Sequence, residues 1–161
     1  MKKYELTEET VTVYGKTLYR IRAVRDFGSV KTGEFGGYIE KEENLSHFGD
    51  AWVYGNAKVS GDAKVSGNAK VSGDAKVSGD AEVFNTRHFF VQGPIGSRDG
   101  YVTFYRTKDD TVEVRCGCFS GSLQEFVNQV EETHGGSRYE KEYKLAAELA
   151  KVCIRLEGES R

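Results

Sequence analysis

Apolar positions recur every sixth residue through the middle of the chain. From Gly49 the sequence reads GDAWVY, GNAKVS, GDAKVS, GNAKVS, GDAKVS and GDAEVF, six hexads that end at Phe84 without an insertion. Ala at the third place and Val at the fifth are two apart, so both point to the same side of a short strand. The Gly-Asp or Gly-Asn pair that opens each hexad tolerates left-handed backbone angles and predicts a corner there. A six-residue rung with a corner at each end is one side of a triangular coil. A solvated linker would have no use for such strict Ala/Val phasing.

An 18-residue turn would stack Asp50 on Asn68, Asn56 on Asp74 and Asp62 on Asp80. Two of these three corners avoid placing one carboxylate over another, about 4.8 Å apart. Among the outward positions, Lys64 stacks on Glu82 and Lys58 on Lys76. The hexads resemble those of hexapeptide-repeat proteins, whose fold is a left-handed parallel β-helix with three hexads per turn. The lead-in Gly36-Gly37-Tyr38-Ile39-Glu40, through Asn44-Leu45-Ser46 to Trp52, is similar to that of phage- and prophage-encoded members. The resemblance implies that Val53 with Ala57, Val59 with Ala63, Val65 with Ala69, Val71 with Ala75 and Val77 with Ala81 face the interior. It also implies a homotrimer. Val and Ala bury little surface each, and the coil ends leave strand edges unpaired, so such a stack needs caps or neighbours.

The flanks have a different pattern. Thr10–Val13 and Leu18–Ile21 alternate around Tyr14-Gly15-Lys16-Thr17, which predicts a hairpin. Beyond the repeats, Phe89–Val91, Tyr101–Arg106 and Thr111–Cys118 read as three strands. Ser122 with Glu125, and Ser137 with Glu140, are two capping boxes that open helices. The expected fold is mainly β, with an α+β C-terminal module. A short left-handed parallel β-helix of about three coils follows an N-terminal β segment in residues 1–86, and a βββαα module occupies residues 87–161.

Composition narrows the function. The chain has 161 residues, 38% hydrophobic and 30% charged, which suits a packed domain or two small ones. A net charge of −2 argues against a nucleic-acid coat. No apolar run suggests a membrane span, and the first residues do not resemble a signal peptide. Three cysteines, an odd number, point to a reducing cytoplasm. Cys116 and Cys118 share the phase of Val112 and Val114, so they read as small inward hydrophobes rather than a metal hook, and no metal or other cofactor is expected.

Three features suggest a ligand pocket. Gly96, Ser97 and Arg98 lie in a glycine-rich loop, Ser120 and Gly121 lead into a helix N-terminus, and His134 ends that helix. Free N–H groups and Arg98 suit a phosphate or carboxylate, while Phe119, Tyr101 or Tyr105 suit stacking on a base. A plain hairpin turn followed by an ordinary capped helix is the competing reading. Phe48, Trp52 and Tyr54 gather aromatic surface at the first coil, for trimer contact or for covering the coil end within one chain. Lys58 and Lys76 are assigned to an outward rim between chains.

Hexapeptide-repeat acyltransferases use a base, usually histidine, beside a cleft between coils. The coils here contain no histidine, and His47 before them has no second catalytic group evident nearby. The resemblance therefore implies a non-enzymatic, oligomeric, phage-encoded binding protein in the cytoplasm of an infected bacterium. Its expected role is counter-defence, by binding a host defence protein or sequestering a small anionic, nucleotide-like signal. A structural spacer or virion spike component and an acyltransferase are the alternatives.

Overall fold

The computed structural model describes residues 2–157. Strands β1 (Tyr4–Val13) and β2 (Lys16–Ala23) form the expected hairpin, closed by Tyr14-Gly15 with positive φ at both residues. β3 (Phe35–Ile39) pairs antiparallel with β2 on one side. On the other side it pairs parallel with β5 (Lys58–Val59), through Tyr38↔Lys58 and Ile39↔Val59. The N-terminal segment is thereby sewn into the repeats.

Each hexad contributes one two-residue strand. Besides β5 these are β4 (Trp52–Val53), β6 (Lys64–Val65), β7 (Lys70–Val71), β8 (Lys76–Val77) and β9 (Glu82–Val83). β4 pairs with β7, β5 with β8 and β6 with β9, all parallel and all offset by 18 residues. Lys58 therefore stacks on Lys76 and Lys64 on Glu82, as the period predicts. Every Ala and Val of the hexads is buried. Upstream, the buried Asn44 donates to the Gly61 and Ala63 carbonyls at 3.1 and 2.9 Å, and Leu45 bridges to Val65. This lead-in covers the first turn without itself being a hexad.

Trp52 takes the second of its two expected roles, cover within one chain rather than trimer contact. It is only 1% exposed, with its ring edge-on to Phe27 at 5.1 Å and Tyr4 at 6.2 Å. The N-terminal segment lies over that flank and turns an outward hexad position into core, so Trp52 offers nothing to another chain. Tyr54 is partly buried against the same core, and Phe48 alone of the three stays open, at 83% exposure.

The C-terminal module has four antiparallel strands and two helices. The strands, adjacent in chain order, are β10 (Phe89–Ile95), β11 (Gly100–Arg106), β12 (Val112–Cys116) and β13 (Phe119–Ser122). The helices are α1 (Leu123–His134) and α2 (Arg138–Cys153). The order is ββββαα, not βββαα. The stretch read as a loop into the helix is a strand, because Cys116↔Phe119 closes a hairpin over Gly117-Cys118. The glycine-rich loop likewise shrinks to a turn over Gly96–Asp99, since β10 continues to Ile95. The first capping box forms as expected, with Ser122 and Glu125 each accepting from the other's backbone N–H. The second does not. Glu140 accepts from Gly136 N–H, and Ser137 donates its hydroxyl to the His134 carbonyl.

Strand alternation splits this sheet into two faces. Val102, Phe104 and Val114 pack on Phe126, Val130, Ala146 and Ala150 of the helices. Tyr105, Phe89 and Val91 join the repeat core instead. Polar bonds lock the contact. Lys76 N–H donates to Thr103 Oγ1 at 2.9 Å, Lys108 N–H to the Asp80 carbonyl at 2.9 Å, and the buried Arg106 to the Glu82 carbonyl at 3.1 Å.

Two corner glycines give a graded test. A Cβ on Gly55 (φ +56°) would meet nothing within 4 Å, whereas a Cβ on Gly67 (φ +62°) would overlap the Phe84 carbonyl oxygen. Gly55→Ala should cost about 1–2 kcal/mol for the left-handed backbone alone. Gly67→Ala should cost about 1–3 kcal/mol more from overpacking. Equal losses in denaturant unfolding would contradict this packing.

Lys3 gives a test by pH. It is fully buried, donating from Nζ to the Ala51 carbonyl at 2.6 Å and lying 4.7 Å from the Phe27 ring centroid. Burial, reinforced by the charge of Arg25, lowers its pKa to about 8. Below that pH both folded and unfolded chains carry the charge. From there to about 10.4 the folded chain has lost a proton that the unfolded chain keeps, so stability rises with pH. Urea unfolding between about pH 7.5 and 10 should show a rise in the parent relative to Lys3→Met, and parallel curves would refute it.

Candidate functional site

A cleft of about 750 Å³ opens where the module's sheet ends in its two hairpin turns. The sheet's alternation gives it two lobes. On the repeat side stand Tyr101, Thr103 and Arg115 from the sheet, facing Lys58, Asp74 and Lys76 from the repeats. On the helix side stand Ile95, Val102, Cys116 and Phe119 with Phe126, Val130, His134 and Tyr143. Ser97 and Arg98 reach it from the β10–β11 turn.

The charge around the cleft is one-sided. Lys58, Lys76, Arg98 and Arg115 line it, against Asp74 as the only lining carboxylate among the described residues. Among the described residues none of these four cations forms an ion pair, whereas Arg20, Arg106 and Lys144 all do. Lys58 Nζ donates to the Asn56 carbonyl at 3.0 Å, and burial, then the charge of Lys76, lowers its pKa. Arg115 donates to Ser78 Oγ at 3.0 Å and lies 4.9 Å from the Tyr14 ring centroid, while its buried Nε has no hydrogen-bond partner among the described residues. The helix-side wall is a chain of rings. Phe119 meets Phe126 at 5.7 Å, Phe126 meets Tyr143 at 5.8 Å and Tyr143 meets His134 at 5.5 Å. Burial raises the Cys116 thiol and Tyr143 phenol pKa values.

The structure brings Ser97, Arg98, Phe119 and His134 of the expected site together. Gly96 supports the turn from behind, its N–H donating to Glu142 Oε1 at 2.7 Å. Three other expectations fail. Tyr105 shares the face of Tyr101 and Thr103 but lies further along β11, packed into the repeat core and fully buried, donating to Glu113 at 2.9 Å, so no base can stack on it. Ser120 follows Phe119 on a strand, so it faces the other way, into a smaller polar cleft of about 450 Å³ beside Asp62, Asp80 and Glu113. Gly121 lies against the Glu125 carboxylate, and the capping box occupies the helix start, leaving no place for an anion there.

Lys58 and Lys76 also change role. The module folds over their outward face, so they line a cleft within one chain rather than a rim between chains. Sequence reasoning missed them for the site, together with Arg115 and Tyr143. Equal strand phase of Arg115 with Thr103 and Tyr101 across the β11–β12 register was the only available signal. Cys118 is exposed in the β12–β13 turn and Cys116 is half-buried, so the pair does not form the inward hydrophobic unit expected. Among the described residues no group of His, Cys, Asp and Glu is arranged to hold a metal ion.

His47 does have a carboxylate neighbour, contrary to the sequence reading. Its Nε2 bonds Glu42 Oε1 at 2.9 Å. Its Nδ1 accepts from Lys3 N–H at 3.0 Å, and its ring stacks on Tyr4 at 4.1 Å. Both nitrogens are thus occupied by structural bonds, leaving neither to take a substrate proton. No helix among the described residues is long and apolar enough to cross a membrane. Neither a protein-family model nor a curated protein matches the chain.

Proposed function

We propose that the protein is a non-enzymatic binding protein that holds a small anionic, nucleotide-like molecule between its repeats and its C-terminal module. The observation that carries this reading is the charge of the cleft. Lys58, Lys76 and Arg98, without ion-pair partners among the described residues, face about 750 Å³ of space with a single carboxylate, and Arg115 stands between it and the smaller cleft, its guanidinium on Ser78 and Tyr14. Lys58 and Lys76 are half-buried and Arg98 is exposed; half-burying charges without counter-ions is unfavourable, and a bound anion offsets the cost. The ring wall offers the apolar surface that a base requires. A thiol held protonated by burial is a poor nucleophile, which favours binding over covalent chemistry at Cys116.

We further infer that residues 49–84 form a left-handed parallel β-helix of the hexapeptide type. The 18-residue ladders, the buried Ala and Val and the left-handed glycine corners support it. The resemblance to phage-encoded repeat proteins adds the setting: capture of a host signal, as counter-defence, in the cytoplasm of an infected bacterium. A concave cleft favours a small ligand over a host protein. Self-association as a homotrimer belongs to the same reading, with Phe48 at the contact.

Thermal unfolding against a panel of nucleotides tests the ligand. A binder at about 100 times its Kd should stabilise the parent by about 2.7 kcal/mol, and the double variant Lys58→Glu/Lys76→Glu should lose that gain while keeping its circular dichroism. If no nucleotide raises the parent's midpoint, the reading falls. Mass in solution tests the assembly. Three chains of 17.9 kDa are expected, and a Phe48→Glu variant should dissociate. A single-chain mass at micromolar concentration would refute the trimer.

A further inference from the structure

We infer that the cleft is two-ended and takes a nucleoside diphosphate group, its two adjacent phosphates on Lys58 and Lys76 and its base against the ring wall around Phe119. This rests on the anion-binding reading above and adds the charge spacing and orientation of the ligand.

The spacing comes from the repeats. Lys58 and Lys76 are register partners on β5 and β8, so their side chains leave the same face one strand apart, about 4.8 Å. Their like charges repel, and Asp74 is the only lining carboxylate among the described residues to offset them. One phosphate monoester can bridge such a pair, but two linked phosphates give each ammonium its own anion. The ladder sets this spacing through backbone hydrogen bonds, with Lys58 N–H donating to the Ala75 carbonyl at 2.9 Å. Lys76 is further held from the module by its N–H bond to Thr103. The cationic pair is therefore presented by rigid elements rather than by a mobile loop.

The orientation comes from the sheet. Lys58 and Lys76 belong to the repeat-side lobe, and Phe119, Phe126 and Tyr143 to the helix-side lobe. A ligand uniformly charged along its length would leave the ring wall unmatched. A purely apolar ligand would leave the lysines unpaired. The ring lobe also has polar atoms for a base edge. Gln129 Nε2 donates to Thr133 Oγ1 at 2.8 Å, which leaves the Gln129 amide oxygen and the Thr133 hydroxyl proton to bond a ligand.

Calorimetric titration of the full chain with AMP, ADP, GMP, GDP and inorganic pyrophosphate tests this. At least one diphosphate should bind about tenfold or more tightly than its monophosphate. Lys58→Gln and Lys76→Gln should each remove most of that difference, with the thermal midpoint of the unliganded protein no lower than the parent's. Phe119→Ala should weaken the nucleotides and leave pyrophosphate unaffected. Equal affinity for mono- and diphosphates, or equal loss of pyrophosphate in Phe119→Ala, would overturn the two-ended site while leaving an anion site standing. Absence of binding by every probe would overturn the anion-binding reading as well.

Discussion

The structure depends on parallel strand pairs set 18 residues apart, in which every Ala and Val of the hexads is buried. Small side chains permit the close approach that such a ladder requires, and for the same reason they bury little apolar area per residue. A thin core of this kind is short of stabilisation unless larger residues cover its flanks. The chain supplies these from both sides. Tyr4, Phe27 and Trp52 build a wide aromatic patch at the N-terminal flank, and Tyr105, Phe89 and Val91 press on the other end.

Covering the second flank has an electrostatic consequence. The outward positions of the hexads carry lysines, which suit a solvated face. The module lies across one side of the repeats, and Lys58 and Lys76 become half-buried there without an ion pair among the described residues, Asp74 being the carboxylate that lines the cleft with them, while Lys64 and Lys70 remain exposed. Elsewhere the molecule answers buried cations with partners. Arg106 is held by Asp110 and the Glu82 carbonyl, and Lys3 by two backbone carbonyls. In the cleft Lys58 and Arg115 meet only neutral acceptors, the Asn56 carbonyl and Ser78 Oγ, and cations without anions beside an aromatic wall are a reason to look for a ligand.

The module shows how one strand position decides the role of a side chain. Phe119 and Ser120 are adjacent in sequence and read as one loop, yet the strand sends them to opposite faces. Tyr105 and Arg115 share one face of the sheet, yet Tyr105 is buried in the repeat core while Arg115, two residues beyond Tyr105's partner Glu113, reaches the cleft. His47 and Glu42 make the complementary point. They are close in sequence and do meet, but Tyr4 and the Lys3 backbone use the imidazole for packing.

By itself the sequence determined the hexad period, its inward Ala and Val, the 18-residue stacking, the first hairpin and the capped start of α1. These follow from local geometry: strand alternation, left-handed corners and side-chain caps all act within a few residues. Only the tertiary structure decided that Trp52 is core, that Phe119–Ser122 is a strand and that two outward lysines share a cleft with Arg98, Arg115 and a wall of rings. Each of those outcomes depends on which surface a distant segment covers, and coverage is a property of packing that no local pattern encodes.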